Sequence, residues 1–311
     1  MPLQRHLFLR SMEGKMYREK NKAAVLKIFF QFGFIPLAAF LFVVLIPFAA
    51  GIGLSLTNWN GNFDEAISFV GAQNYIKAVT DAAFWDSLGK TFYYVFFVVI
   101  ISNLLAFCFS LLVTSGIKFQ NFYRAGYFTP NLIGGVILGY IWQFVFSRVI
   151  PFFGSGTGIE WLEKSWLTNP HMALWALIIV GIWQNAGYMM LIYIAGLTGI
   201  DKSLVEASKI DGATPIQTLL RIKLPLMVQS FTITLFLTLR KAFMVYDVNL
   251  SLTKGGPYKT TELASMHIYN EAFLNYNLGP GQAKAFILFA IVAAIALIQV
   301  FVLKKKEVEA I

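Results

Sequence analysis

The side chains that usually carry bond-breaking chemistry are few and scattered along this chain. Its histidines are His6, His171 and His267, and its single cysteine is Cys108. Catalysis needs a nucleophile, a base or a metal set that converges on one point, and this spacing matches no metal-ligand pattern. The phosphate-loop pattern G-x-x-x-x-G-K-[ST] is also absent. The sequence therefore favours ligand binding over catalysis, and it predicts no metal or other cofactor in this chain.

A second group of candidate residues is polar and lies inside long apolar segments. A polar side chain that faces lipid is costly, so such residues usually face protein or a water-filled path. Amides and phenols can donate and accept hydrogen bonds, which suits a ligand with many hydroxyl groups. The candidates are Asn131, Gln184, Asn185, Tyr188, Arg240, Lys241, Tyr246, Asp247 and Asn249. The alternative roles are hydrogen bonds between helices and, for Arg240 with Asp247 two helical turns later, an internal ion pair.

The elements that must position these residues are long apolar helices. The chain has 311 residues, of which 57% are hydrophobic and 13% charged, whereas about 25% are charged in an average soluble domain. A membrane-spanning helix needs about 20 apolar residues. We therefore expect an all-α polytopic membrane protein with six spans. Their predicted ranges are 29–52, 89–113, 126–147, 171–195, 229–250 and 283–303. The first run is too long for a signal peptide and is expected to be retained.

Basic residues are distributed unevenly between the segments that join these spans. Segments 1–28, 114–125 and 196–228, together with the tail 304–311, hold 16 of the 25 lysines and arginines. Lysine and arginine concentrate in cytoplasmic loops, so both termini and the 196–228 connection are predicted to be cytoplasmic. The basic segment 1–28 has two open interpretations, a helix on the membrane surface or a solvated topology anchor.

The 196–228 connection carries signals for two short helices. Ser203 is a candidate N-cap, and Glu206 follows at the spacing of a capping box. Gly212 can adopt the positive φ that ends a helix, and Pro215 suits the first turn of the next one. The chain is expected to turn towards span five at Leu224-Pro225.

This connection resembles the coupling loop of importer permeases of the ATP-binding-cassette class. The family pattern is E-A-A-x-x-x-G, then nine residues, then I-x-L-P. The matching positions are Glu206, Ala207, Gly212, Ile222, Leu224 and Pro225, and Ser208 replaces the second alanine. Weaker similarities extend over 29–303 and include Leu56-Thr-Asn-Trp59 and Thr253-Lys-Gly-Gly-Pro257. Together they resemble the oligosaccharide branch of the class, the maltose-type permeases.

The resemblance implies a type I importer permease fold, with a basic segment 1–28, a transmembrane domain 29–303 that contains a two-helix coupling loop near 198–228, and a basic tail 304–311. It implies that the loop binds an ATPase. The implied contact residues are Glu206, Ala207, Ser208, Asp211, Gly212, Ala213, Leu224 and Pro225. The implied partners are a second homologous permease, two ATPase subunits or domains that hold ATP and Mg²⁺, an extracellular binding protein, a sugar substrate and the bilayer.

The same resemblance assigns sugar contacts within the spans. Gln184, Asn185, Tyr188 and Asn131 match sugar-contact positions of maltose-type permeases, and Lys241 lies beside another. The depth of Arg240 and Lys241 motivates the hypothesis that they favour an acidic or phosphorylated sugar.

The sequence leaves alternatives to a sugar permease. One alternative is a permease for a different solute class, such as a phosphorylated polyol. A secondary carrier or channel is a further alternative, but such carriers often contain internal repeats, and none is found in this sequence. An intramembrane enzyme would need a nucleophile and base, or a metal set, that converge on one point, and the scattered histidines and single cysteine do not favour one.

Overall fold

The structure is a computed structural model that describes residues 22–62 and 64–305, with side chains from Val25 onwards. Predictions for 1–21 and 306–311 lie outside the described residues. Within the described ranges, five helices are long and apolar enough to cross a membrane, and a bent pair makes a sixth candidate. The helices are α1 (Val25–Ser55), α2 (Gln73–Thr80), α3 (Ala82–Thr114), α4 (Gln120–Leu132), α5 (Gly135–Gly154), α6 (Glu160–Glu163), α7 (Pro170–Thr198), α8 (Lys202–Ile210), α9 (Pro215–Leu226), α10 (Val228–Phe243), α11 (Asp247–Leu252), α12 (Ala264–Tyr269) and α13 (Leu278–Lys304).

Proline shapes the first span. The chain divides into the units Met1–Leu54 and Ser55–Ile311, and α1 forms nearly all of the described part of the first unit. Wider π turns at Phe29–Gly33 and Leu41–Leu45 come shortly before Pro36 and Pro47. Proline lacks an N–H and clashes with the carbonyl four residues earlier, and a wider turn accommodates that clash. The helix therefore continues through both prolines.

The second unit is built around α7. This helix packs along α3 and also contacts α4 and α10, while α10 contacts α3 and α13. Glycine permits the close approach, because a Cβ at Gly181 would collide with the Tyr94 ring and one at Gly187 with the Tyr127 backbone. Apolar side chains from these helices, including Leu177 and Phe243, form the core.

A buried polar network joins three of these helices. The Tyr193 hydroxyl on α7 donates to Oδ1 of Asn103 on α3 at 3.0 Å and accepts from Oγ1 of Thr234 on α10 at 2.7 Å. Nδ2 of Asn103 donates to Oγ1 of Thr238 at 3.2 Å. Hydrogen bonds between helices are the alternative role expected for polar residues in spans, and here residues outside the candidate set fill it.

Two predicted spans are interrupted. The range 126–147 breaks after Leu132, where Ile133 is extended, and α5 begins at Gly135. The range 229–250 breaks after Phe243, and α11 begins at Asp247. The second helix of each interrupted span, α5 and α11, packs on the other, since a Cβ at Gly135 would meet the Asp247 side chain. These two helices are therefore stabilised by packing against each other, since neither is the continuation of a long straight helix.

Candidate functional site

Three of the predicted ligand contacts meet, although they come from three different helices. Asn131 is near the end of α4, Tyr188 is in α7 and Lys241 is near the end of α10. Nζ of Lys241 donates to Oδ1 of Asn131 at 2.8 Å and lies 4.8 Å from the centroid of the Tyr188 ring. The arrangement combines an amide, an aromatic face and a cation, so we call these three residues the Lys241 site.

The Lys241 site is accessible and its charge is not neutralised by an acidic side chain in the described part of the chain. Lys241 is exposed, and Asn131 and Tyr188 are partly buried. No ion pair between residues in 22–62 and 64–305 includes Lys241. An ammonium group has three protons to donate, and Asn131 takes one. The group can therefore donate to further oxygen atoms on a ligand.

The neighbouring candidates on α7 differ in their surroundings. Gln184 lies one turn before Tyr188, on the same face of the helix, and is partly buried. Asn185 is buried, and its Nδ2 donates to the carbonyl of Gly181 at 2.7 Å, while its Oδ1 has no hydrogen-bond partner among the residues that the structure describes. Gln184 therefore extends the face that carries Tyr188, whereas Asn185 points into the packed interior.

The remaining candidates lie on both sides of the break after α10. Arg240 and Asp247 are both exposed, and no ion pair joins them in the described ranges. The turn between α10 and α11 removes the common helical face that the sequence suggested. The Tyr246 ring packs on Tyr269 at 4.8 Å between centroids. These residues therefore do not join the Lys241 site.

Asn249 is fully buried and makes hydrogen bonds at both ends of its amide. Its Nδ2 donates to the Thr261 carbonyl at 2.7 Å, and its Oδ1 accepts from Oγ1 of Thr253 at 2.8 Å. In this position the side chain holds the segment between α11 and α12.

The loop between α7 and α10 contains the two expected helices, but the prediction that Ser203 is the N-cap of the first one was wrong. Oδ1 of Asp201 accepts from the backbone N–H of Ser203 at 2.9 Å, so Asp201 is the N-cap and Ser203 lies inside α8. Ser203 donates hydrogen bonds to the Asp201 carboxylate from its backbone N–H and from its side chain, and both lower the pKa of Asp201 below its usual value. The reciprocal capping box is at the start of α9, between Thr214 and Gln217.

The bend between α8 and α9 has the geometry that glycine permits. Gly212 has φ +77°, and its N–H donates to the carbonyl of Lys209 at 3.1 Å. The N–H of Ala213 donates to the carbonyl of Ser208 at 2.9 Å, which completes a Schellman motif. Oγ of Ser208 lies 3.1 Å from Oγ1 of Thr218 in a buried contact. The two helices are thus tied together by their own side chains.

The outer surface of this loop is both acidic and apolar. Glu206, Ala207 and Asp211 are exposed, and neither carboxylate forms an ion pair with another described residue. Ile210 is 87% exposed and Ile216 68% exposed. We call these five residues the loop surface. Exposed apolar groups beside unpaired charges are typical of an interaction surface.

The exit from the loop differs from the prediction. Helix α9 continues through Leu224 and Pro225, with a π turn over Leu219–Lys223 just before the proline. The chain bends by 68° between α9 and α10, at Met227. The wider turn accommodates the proline, so the redirection falls two residues after Pro225.

The structure also contains a buried charged cluster that the sequence analysis missed, at the end of the unit opposite the loop. Nζ of Lys284, in the first turns of α13, lies 2.6 Å from Oδ2 of Asp81, 3.6 Å from Oε2 of Glu271 and 3.1 Å from Nε2 of His267. Nδ1 of His267 lies 3.5 Å from Oε1 of Glu262. We call these five residues the outer cluster. A lysine at the edge of an apolar span implies a partner, and that signal could have pointed to the cluster.

The environment shifts two titrations in the outer cluster. Burial, followed by the nearby Lys284 charge, lowers the pKa of His267 below its usual value. Burial alone would raise the pKa of Asp81, but the bond from Lys284 and the backbone N–H groups of Ala83 and Phe84 lower it. Both shifts favour a neutral imidazole beside an ion pair.

Comparison with known proteins identifies the class. Residues 106–308 match the family model described as binding-protein-dependent transport system inner membrane component. A bacterial ABC transporter involved in the import of the acidic polysaccharide alginate has the same fold, with a TM-score of 0.76 at 20% identity over 91% of this chain and 96% of that chain.

The chain belongs to this family of binding-protein-dependent permeases. It is 42% identical over 273 residues to the probable starch degradation products permease AmyD of Thermoanaerobacterium thermosulfurigenes, covering 88% of this chain and 92% of that protein. It is 32% identical to the multiple sugar-binding transport system permease MsmF of Streptococcus mutans, over 88% of this chain and 94% of that protein. The predicted family, all-helical permease fold and transport role are confirmed, and the family is one of transport subunits, not enzymes.

Proposed function

We propose that this chain is the membrane-spanning permease subunit of an ATP-driven oligosaccharide importer, that it forms half of the translocation path, and that it moves its cargo by alternating access. The observation that carries the proposal is its similarity, over most of its length, to permeases named for starch degradation products and for multiple sugars. In alternating access, ATP binding and hydrolysis by partners bias the inward and outward states.

The Lys241 site supports a carbohydrate cargo chemically. The Tyr188 ring can cover the apolar face of a sugar, and the Asn131 amide and Lys241 ammonium can hydrogen-bond its hydroxyls. Gln184 adds a second amide one turn away on the same face. Contacts from α4, α7 and α10 would therefore be rearranged together when these helices move, which is what a site in a gated path requires.

The substrate assignment is tested in two stages. First, the cognate binding protein is titrated with a panel of neutral and acidic oligosaccharides, and the tightest ligand is then used for uptake into proteoliposomes. Second, Tyr188→Leu is expected to lower uptake up to about tenfold, while Tyr188→Phe keeps the ring and most of the activity. Phe96→Leu, an exposed aromatic change on α3, serves as the control. Full uptake by Tyr188→Leu would contradict the assigned path.

We also propose that the loop surface docks on a separate ATPase subunit. Its exposed isoleucines would fill an apolar cleft, and Glu206 and Asp211 would pair with basic residues. The Schellman turn and the Ser208–Thr218 contact support rigid-body movement of α8 and α9, so closure of the ATPases would move the α10 end of the path. This chain lacks a phosphate loop, so ATP and Mg²⁺ would bind to the partner.

Docking is tested by charge reversal at the loop surface. Glu206→Lys is expected to abolish ATP-driven uptake and co-purification with the ATPase while the purified chain keeps its thermal midpoint. Lys202→Glu, at the start of the same helix and exposed, is the matched reversal with a smaller expected effect. Retained coupling in Glu206→Lys would count against docking through this surface.

We further propose that the loop and both termini are cytoplasmic, supported by the excess of lysine and arginine on that side. In a Cys108→Ser background, a membrane-impermeant maleimide should label Ile210→Cys only after the cells are opened. It should label Tyr258→Cys, at a 91% exposed position, in intact cells. The reverse pattern would invert the topology.

The full assembly would contain a second homologous permease, two ATPase subunits or domains and an extracellular binding protein. Co-purification of these components in stoichiometric amounts tests this composition.

A second candidate cargo is an acidic or phosphorylated sugar or polyol. The observation that favours it is the ammonium of Lys241 without an acidic partner in the described residues, next to exposed Arg240. Lys241→Gln would then reduce uptake of the acidic ligand and spare the neutral one. Unchanged selectivity would remove this candidate.

A further inference from the structure

The outer cluster joins parts of the chain that are far apart in sequence. Asp81 caps the start of α3, Lys284 lies in the first turns of α13, and Glu262, His267 and Glu271 belong to the segment between α11 and α13. We call residues 253–277 the outer segment. Lys284 is 4%, Glu262 6% and His267 7% exposed. The charges thus link the outer segment to the ends of two spans, with Lys284, Glu262 and His267 buried and Asp81 and Glu271 partly buried.

The distances assign one protonation state to the imidazole. The Lys284 ammonium has protons to donate and no lone pair, so at 3.1 Å Nε2 of His267 must accept. The ring proton is then on Nδ1, which faces Oε1 of Glu262 at 3.5 Å. A second proton, on Nε2, would point at a cation. The contact between His267 and Lys284 therefore exists only with the neutral ring.

The other charged groups around the ring are also accounted for. Oδ2 of Asp81 lies 3.8 Å from Nε2 of His267, while Glu271 faces Lys284 and accepts from Asn275 and Asn277. Lys259 lies 3.7 Å from Glu262. After protonation of His267, Asp81 and Glu271 remain as partners for Lys284, so loss of the imidazole contact would not by itself unfold the chain.

We propose that His267 and Lys284 form a proton-sensitive latch, which helps to hold the outer segment on the ends of α3 and α13 at neutral pH and loosens this attachment when the outer face becomes acidic. The regulatory meaning rests on the proposed importer function, because the outer segment would then face the binding protein. The direction agrees with the environment of the ring, where burial and Lys284 lower the pKa of His267. The neutral His267 ring contributes fully to the stability of the latched state above about pH 6.5. This contribution is lost as the pH falls through the pKa that His267 has in the folded protein.

The latch is tested by distance measurements on the assembled transporter in nanodiscs. Spin labels are placed at Tyr258→Cys in the outer segment and at Ile76→Cys on α2, which packs on α13, in a Cys108→Ser background. Both positions are exposed. Between about pH 7.5 and pH 5, either side of the usual histidine value, the distance distribution should broaden and its mean should lengthen.

Variants separate the latch from general acid sensitivity. His267→Gln offers Lys284 a neutral acceptor at every pH, so it should keep the narrow distribution at both values. His171→Gln, at the exposed start of α7, should respond to pH like the parent. An unchanged parent distribution, or equal broadening in His267→Gln, would overturn the latch. Because the readout is a distance within this chain, it stands even if the complex fails to import carbohydrate.

Discussion

The loop surface and the outer cluster both carry charged residues, and they lie at opposite ends of the second unit. The two regions are stabilised in different ways. The loop is held by neighbours, such as Ser208 with Thr218 ten residues later, and its carboxylates remain exposed. In the outer cluster, Asp81 meets Lys284 across about two hundred residues of sequence; Lys284 and Glu262 are buried, and Asp81 is partly buried. The exposed carboxylates of the loop are therefore available to a partner, whereas the charges of the outer cluster mainly hold distant parts of the chain together.

Removal of the central cation should cause the largest loss of stability. Lys284→Met leaves Asp81 and Glu271 without their ammonium partner, and breaking a buried ion pair costs about 3 kcal/mol. The free energy of unfolding in mixed micelles measures this cost. Lys164→Met removes an exposed pair with Glu160, and a much smaller loss is expected because water screens exposed ion pairs. Equal losses in the two variants would erase the contrast between buried and exposed charges.

The outer cluster, unlike the loop, should make the stability of the chain depend on pH. Because His267 has a lowered pKa in the fold, its neutral form contributes stability above about pH 6.5 that is lost as the pH falls. The thermal midpoint of the parent should therefore decrease between about pH 7 and pH 5. His267→Gln should flatten this decrease, and loop variants should leave it unchanged. A pH profile that is insensitive to His267 would assign the dependence to other groups.

Alanine at the loop bend should have an intermediate effect. Gly212 has φ +77°, and no heavy atom lies within 4 Å of a Cβ built there. The cost is therefore only that of the left-handed backbone, about 1 kcal/mol. Gly126→Ala has equally open surroundings inside α4, and it should be neutral or stabilising. If both substitutions cost the same in unfolding experiments, the bend is not what makes Gly212 necessary.

The smallest effect is expected at the second cap of the loop. Thr214→Ala removes the hydroxyl that accepts from the N–H of Gln217, and loss of an N-cap costs about 0.5–1 kcal/mol. Denaturant unfolding should show this loss, while Thr214→Ser should recover most of it. No recovery by serine would mean that the threonine methyl group, and not the cap, supports the helix.

Local rules predicted the loop better than they predicted the spans. The positive φ of Gly212 and the position of Pro215 at the start of α9 followed from backbone preferences of single residues. The N-cap is Asp201 and not Ser203, because two capping residues two positions apart compete and the sequence does not rank them. The breaks after Leu132 and Phe243 were missed, because hydropathy cannot separate a continuous span from two helices that pack elsewhere.

Composition and hydropathy were enough to predict a helical membrane protein, while short motifs gave the resemblance of the polar loop to a coupling loop and the absence of the phosphate-loop pattern. These properties depend on residue type and short spacing. Only the tertiary structure decided that Asn131, Tyr188 and Lys241 share one site and that Asp81, His267 and Lys284 share another. Such contacts depend on how α3, α4, α7, α10 and α13 pack, and helix packing is set by side chains distant in sequence.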